Sequence, residues 1–530
     1  GRGSGGGSVK RRLIRAQAVR TAEGIVGDAL LVEDGRVAAI GPSEELTGET
    51  EQGYPGAVVI PGLRDAHFHP IPYAATLQRT SLKDAGDLDE VLRRLRTAAG
   101  KLAPGTPLVA HRLDDEALEE KRLPTRFDLD QAVRDRPLLV YRYCGHIGMV
   151  NTAALEVAGL RPDTPDPRGG SFDRHEDGSL SGVLRETAVQ TVAASLAGST
   201  PVQPEQVLAT MSGLSALGLT GMTAIVSLEE GPWCGAEGEL RLLQEIAPDL
   251  PLRLSVLVIP GEPRALEGAA RLLESMGPRV SFLGVKAFAD GSLGGHTAAL
   301  REPYADRPGE KGTLRLDPAA IGLQARISLG LGGRVAVHAI GDLANTVVLD
   351  LFEQLLEKGA GPESLRVEHA SVLADEDVER FAATGITASV QPAFLPSETG
   401  WLEKRLGARL GQAYRWRTLA EAGVPLAGGS DCPVEPPAPL WGMAAARDRA
   451  GIIPEEGLSP EQALALFTNG AARAMGEPEP LAPGSPADFV VLDRDPVSCS
   501  PDELRHAKVL ATWVAGEPVT LPEQPVTWTA

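Results

Sequence analysis

The sequence predicts an α/β protein: a (β/α)8 TIM barrel, a small β-sandwich domain built from both chain ends, and a large insertion after barrel strand 1. Three observations predict it. Strand-like and helix-like runs alternate through the middle of the chain, which implies a parallel sheet, and eight such steps fit a closed barrel. Both chain ends read as β only. One interval of about 150 residues interrupts the rhythm where a loop of two to six is usual.

The elements follow in chain order. Residues 1–10 open on Gly and Ser and read as a tag or linker remnant, set aside from the fold. Residues 11–60 hold short strands at Leu13–Ala16, Ala29–Glu33 and Arg36–Ile40, and the Asp34-Gly35 step predicts a hairpin between the last two. Val58–Ile60, ended by Pro61-Gly62, is taken as the first barrel strand. The others are expected at Gly221–Leu228, Leu252–Ile259, Val280–Ala289, Arg334–Ala339, Leu365–His369, Ile386–Gln391 and Val424–Ala427. Periodic segments between them predict helices at 206–216, 238–246, 265–276, 318–330, 345–358, 375–383 and 414–422. Residues 80–205 are expected to form an inserted subdomain, with helical stretches at 87–102 and 131–133 and a Pro/Asp/Gly-rich stretch at 161–182. Its place after a barrel strand suits a lid. Strands at 484–493 and 509–514 close the chain, so 11–60 plus 478–530 make one β domain beside a barrel of 61–477.

The chain has 530 residues and a net charge of −20, with no basic cluster beyond Lys10–Arg12 to bind a phosphate backbone, so nucleic acid is not an expected partner. A small neutral or cationic substrate fits this field better. Four cysteines, none in a CxxC pair, imply neither a zinc knuckle nor a disulfide framework, and a reducing, cytoplasmic setting is the expectation. No apolar run reaches the roughly 18 residues of a membrane span.

The chemistry gathers at strand ends. His67 and His69 are i and i+2 in extended backbone, so both rings project to one side and can reach one ion. Asp65 is placed to support them. His338, His369 and Asp431 each end a different predicted strand, the face on which barrel enzymes build their sites. Any one of these histidines alone reads best as a hydrogen-bonded structural residue; their coincidence is what points to metal. Lys286 sits in an apolar strand, where burial lowers an amine's pKa; a neutral amine can be carbamylated by CO₂ into a carboxylate that bridges two metals. Asp290 and Asp342 are expected to orient the site or to cap turns, and Asp290, His146 and His296 are the expected substrate contacts. Cys432, beside Asp431, is read as a structural thiol.

The segment Pro61–His69 resembles the opening metal motif of the amidohydrolase superfamily. The segments 286–295, 338–342, 366–370 and 429–434 look like amidohydrolase family 3, which includes N-substituted formamide deformylases, and 484–493 is similar to the superfamily's closing β motif. The resemblance implies that His67 and His69 hold one metal, that Lys286 bridges, that His338 and His369 hold a second metal, and that Asp431 both ligates and takes the proton from the attacking water. His146 lies in a segment, 143–151, that resembles a pocket-facing insert motif of the same group. Val226-Ser227-Leu228 and His296 depart from residues that relatives often carry, which bears on substrate more than on metal.

The expectation is therefore an enzyme with one or two divalent ions per chain, zinc foremost, that cleaves a C–N amide-type bond of a small molecule: an N-substituted formamide, an amide or a cyclic amide. Deamination, or ester and lactone hydrolysis, is the alternative on the same site. A non-catalytic scaffold is the alternative of another class. A homodimer is compatible with all three readings.

Overall fold

The computed structural model describes residues 11–167, 169–196, 202–229 and 238–521; the remnant at 1–10, Cys234 and the last residues of the C-terminal β segment lie outside them. At its centre is an eight-stranded parallel sheet: β1 (Leu63–Phe68), β2 (Leu219–Ser227), β3 (Arg253–Ile259), β4 (Val280–Phe288), β5 (Arg334–Ala339), β6 (Leu365–His369), β7 (Thr387–Val390) and β8 (Leu426–Gly428). Each strand pairs with the next in chain order. Helices such as Gly238–Ile246, Ala265–Glu274, Pro318–Gly330, Asp342–Glu357 and Asp375–Thr384 follow the strands and cover the outer face, while the strands' own side chains fill the interior, so the strands are almost wholly buried.

The seam between β8 and β1 is closed just beyond the ends of the strands. Asp431 N donates to His67 O at 2.8 Å and His69 N to Cys432 O at 2.8 Å, with a parallel bridge between Phe68 and Cys432. Asp65 reinforces the seam. Its carboxylate accepts from His67 N (3.0 Å), from Ser430 N (3.0 Å) and from Ser430 Oγ (2.5 Å).

One assignment is corrected. Val58–Ile60 is no barrel strand. It ends the long strand Thr50–Pro61, which runs parallel to Arg11–Thr21 and antiparallel to Phe489–Leu492. The barrel begins only after Gly62, whose missing side chain lets Thr220 of β2 pack close; a Cβ there would lie 2.3 Å from Thr220 Oγ1. The Arg and Asp in β1 hid this strand, because both serve the interior rather than solvent.

The chain ends join in one seven-stranded sheet, ordered Glu517–Pro518, Val509–Val514, Phe489–Leu492, Thr50–Pro61, Arg11–Thr21, Gly24–Glu33, Arg36–Gly41. Its core includes Ile14, Leu30, Val59, Phe489 and Trp513, with the last two rings stacked at 5.2 Å.

Between β1 and β2 the structure shows a second departure: the interval carries a six-stranded sheet as well as helices. The order is Gly170–Arg174, Leu180–Glu186, Ile147–Val150, Leu138–Arg142, Leu108–Leu113, Thr80–Ser81. Leu88–Ala99, capped by Asp87 accepting from Glu90 N at 2.7 Å, buries Val91, Leu92, Leu95 and Ala99 in one of its two cores, and the other gathers around Leu139, Phe172 and Leu184. The stretch at 161–182 is thus partly a strand hairpin, whose short strands the Pro and Gly content disguised.

Candidate metal centre

Five of the barrel strands deliver side chains to one point at their C-terminal ends. β1 supplies His67 and, one residue past its end, His69; the turn after β8 supplies Asp431. Asp431 Oδ1 lies 3.2 Å from His67 Nε2 and 3.1 Å from His69 Nε2, and Oδ2 lies 4.0 Å from His369 Nε2. The ligand-capable atoms of His67, His69 and Asp431 all fall within 4.8 Å of one another. The His369 ring, from the end of β6, stands 4.9 Å from that of His67 and 4.5 Å from that of His338, from β5. Lys286 of β4 is fully buried, its Nζ 3.8 Å from the centre of the Phe288 ring.

The outer nitrogens of the imidazoles are already committed. His67 Nδ1 meets Glu368 Oε2 at 2.5 Å, His369 Nδ1 meets Gln391 Oε1 at 2.6 Å, and His338 Nε2 meets the Gly291 carbonyl at 2.8 Å. Each of these oxygens accepts an N–H, so a neutral ring keeps its lone pair on His67 Nε2, His369 Nε2 or His338 Nδ1, the first of which faces Asp431 Oδ1 at 3.2 Å. That donor chemistry, three imidazole lone pairs and a carboxylate in a buried cup, fits a divalent cation.

Electrostatics agree. Burial would raise the Asp431 carboxyl, but the His67 charge and hydrogen bond, with His69, hold it well below the usual range. Burial would lower His67, but Asp431 and Glu368 outweigh it and raise the pKa, so the cup draws positive charge. Burial lowers Lys286 to about 8, against the pull of Glu368 and Asp431, which leaves a usable fraction of free amine near neutrality.

The backbone at the centre is strained. His369 (φ 79°), Ala370 (φ 45°) and Asp431 (φ 56°) adopt left-handed conformations that cost about 1–3 kcal/mol each and persist where surrounding bonds impose them. At Asp431 those bonds are its own N–H to His67 O and Val434 N to its carbonyl, both 2.8 Å.

The other expected residues divide. His146 does reach the site: its ring stands 5.6 Å from His338, and Nδ1 bonds Glu186 Oε2 at 3.0 Å. Asp290 is fully buried and accepts from Ile340 N, Gly341 N and Ala299 N at 2.8–3.0 Å, so it clamps the turn after β5 and is spent before it could meet substrate. The tightness of that turn requires glycine at 341, where a Cβ would come within 1.9 Å of Ala299 O. Asp342 caps the same turn, accepting from Arg301 N and Leu343 N at 3.0 Å. His296 turns away to Asp306 (3.2 Å) and stands edge-on to Tyr304.

Glu368, Arg366 and Gln391 were not anticipated. Arg366 crosses the barrel interior from β6 to Ala66 O of β1 (2.6 Å), Ser389 of β7 (3.3 Å) and Thr223 of β2 (3.4 Å), while its Nε holds Glu368 Oε1 at 2.5 Å. Opposite charges at i and i+2 in an otherwise apolar strand were the available signal.

The fold and this donor set define a metal-dependent hydrolase of the amidohydrolase superfamily. The chain belongs to the amidohydrolase family, whose model matches residues 55–520. It is 32% identical over 516 residues to the putative amidohydrolase YtcJ of Bacillus subtilis (strain 168), covering 93% of this chain and 96% of that one. It is 27% identical over 517 residues to the N-substituted formamide deformylase of Arthrobacter pascens, covering 92% and 94%. Among solved structures it is similar to an uncharacterized metal-dependent hydrolase from Pyrococcus horikoshii OT3, with a TM-score of 0.73, 27% identity, and 93% and 99% of the two chains covered.

Proposed function

We propose that the protein hydrolyses a C–N amide-type bond of a small molecule, a formamide, amide or cyclic amide. The observation that carries this reading is the convergence of His67, His69 and Asp431 at the mouth of the barrel. The name of the Arthrobacter pascens relative supports the bond type. Zinc suits a set of imidazoles and one carboxylate.

A divalent cation held there would supply Lewis acidity, lowering the pKa of a water toward neutrality and polarising a carbonyl oxygen. His67, His69 and Asp431 would hold it, and His338 and His369 would offer donors for a second ion. Lys286, as free amine, adds through Nζ to the carbon of CO₂; an N–C bond forms, one proton leaves, and the resulting carboxylate joins the donor set. Asp431 is ionised and accepts the proton of the attacking water. The same carboxyl returns that proton to the departing amine nitrogen as the C–N bond breaks. Tyr143 and His146, from the turn between the strands Leu138–Arg142 and Ile147–Val150 of the inserted sheet, line the cavity above and limit water there.

The test couples metal analysis to a substrate panel. Purified protein should carry at least one equivalent of a transition metal. Chelation should abolish hydrolysis of N-substituted formamides or cyclic amides, and zinc should restore it. A metal-loaded protein that leaves every amide intact while deaminating or cleaving esters would overturn the bond assignment.

A further inference from the structure

The insertion is a body of its own. Its two apolar cores draw only on residues 82–196, with Leu95, Val140 and Met149 in one and Leu139, Phe172 and Leu184 in the other. Among the described residues, the barrel core takes only Tyr143 from it. The chain leaves the barrel between Ala75, which packs in the barrel core, and Leu82, which packs in the insertion's. It returns between Leu196 and Val202, which divide in the same way. The inserted sheet pairs with no other sheet, and no backbone hydrogen bond crosses the boundary among the described residues.

Side-chain bonds do cross. Glu186, the last residue of the strand Leu180–Glu186, accepts from Arg315 Nη1 at 3.0 Å and from Thr297 Oγ1, both in the segment between β4 and the helix Pro318–Gly330. Arg405, in the helix Leu402–Leu406 beyond β7, donates through Nη2 to Glu116 Oε1 at 3.0 Å. Arg185 Nη1 reaches Gly295 O at 3.1 Å, and Arg112 Nη1 reaches Pro433 O at 3.3 Å. Glu186 is the hub. It is buried, it also holds His146 Nδ1 at 3.0 Å, and its backbone sits at φ 53°, which a residue with a side chain keeps only under constraint.

This boundary closes over the candidate centre. The insertion lines the cavity with Tyr143, Cys144 and His146, and the barrel lines it with His338, Asp431 and the loop Ser292–Gly294. The cavity leaves about 30 Å³ that water can occupy, room for about two or three waters, whereas sites that hold small molecules run to roughly 300–1,000 Å³. No substrate enters a centre so enclosed until something moves. A boundary between bodies with separate cores and no shared backbone bonds is where movement costs least.

We propose that the insertion is a rigid lid, which swings about the two places where the chain enters and leaves it, and that Glu186 and the Arg405–Glu116 pair are the latch that holds it shut. Opening breaks the bonds of Glu186 to Arg315 and Thr297 and that of Arg405 to Glu116. It withdraws Tyr143 and His146 from the centre and leaves both sheets intact. The lid operates whichever bond the centre cleaves.

Cys144 reports the opening, because it is buried on the lid's side of the cavity. The full-length protein is treated with N-ethylmaleimide. Labelling of Cys144 is followed by peptide mass spectrometry, beside amide exchange in the strands Leu138–Arg142 and Ile147–Val150 that flank it. In wild type, Cys144 should be labelled while those amides stay protected, at least about tenfold more slowly than in the urea-unfolded chain. Glu186→Gln and Glu116→Gln each remove a bond between charged groups, so each should speed labelling about tenfold with the strands still protected. Glu116, on a partly exposed side chain, keeps the test decisive if Glu186→Gln does not fold. Labelling that waits for exchange of the strands would mean that the insertion opens only by unfolding. Labelling of wild type at the unfolded rate would mean that no lid is shut in solution. A rate that neither variant changes would remove the latch. Each of these outcomes overturns the proposal.

Discussion

Asp431 carries the most chemistry on the fewest atoms. Its two oxygens face three imidazoles, and its backbone is held in a conformation that few residues adopt unaided. Asp431→Asn keeps shape and removes the proton acceptor, so kcat should fall by roughly 10²–10⁴ with the circular dichroism spectrum unchanged; wild-type turnover would remove Asp431 from the reaction. A second residue-level prediction concerns His146 and Glu186. Burial would lower His146, but Glu186 raises it to about 9; burial would raise Glu186, but His146 and Arg315 hold it at about 2. The raised histidine stabilises fully below its unfolded pKa of about 6.5 and loses this as pH rises through 9. The depressed carboxylate stabilises fully above about 4.5 and loses this as pH falls toward 2. The pair therefore contributes most between those unfolded values, about 3 kcal/mol counted once. The gap in melting temperature between wild type and Glu186→Gln should be widest near pH 5.5 and should shrink toward pH 9; a gap independent of pH would refute the assignment. Glu186 itself is held at φ 53°, another strained residue beside the cavity.

At the scale of elements, the barrel seam is where fold and site are the same object. Asp65 ties β1 to the turn after β8 through Ser430 N and Ser430 Oγ, accepts from His67 N within β1 as well, and burial raises its carboxyl to about 6. Asp65→Ala strands those donors in the interior, and the expected loss is about 3 kcal/mol or more, seen as a lower urea midpoint together with weaker metal retention. Loss of stability with metal affinity intact would separate the seam from the centre. Much of this scale was legible in the sequence. The helices 238–246 and 318–330 begin and end where their periodicity and their Gly and Pro boundaries placed them. The strands β3 to β8 fall within a residue or two of their apolar runs. β1 was not legible, because Arg64, Asp65 and His67 break its apolar pattern while all remaining buried. The histidines and Asp431 could be found because a titratable group ending an apolar strand is anomalous. Gln391 and Gly291 could not, because their role depends on contacts across strands that no local pattern records.

Over the whole molecule, the inserted sheet and the barrel contribute to one cavity, and the first and last segments of the chain share one sheet. The strand Phe489–Leu492 lies between Thr50–Pro61 and Val509–Val514, so it is flanked on both sides by hydrogen-bonded partners. A chain ending at residue 477 would expose the edge of Thr50–Pro61 along with Val59 and Trp513's former neighbours. Such a truncation should be insoluble or bind a hydrophobic dye strongly at equal concentration; a soluble, metal-binding truncation would show that the barrel stands alone. The insertion's β content, by contrast, was hidden by short strands among turns; its helix at 88–99 announced itself through the Asp87 cap and a clean apolar stripe, while the stretch at 131–133 caught only the end of the helix Arg126–Ala132.

The shared sheet also has a consequence for biosynthesis. When the ribosome has released Thr50–Pro61, the segment that will cover its far edge is still more than 400 codons away. At about 5–20 residues per second, that edge stays bare for roughly 20 to 90 seconds. A nascent chain with an apolar edge open that long is a natural client for a holding chaperone, and a circular permutant that places residues 484–518 ahead of residue 11 should need such help far less.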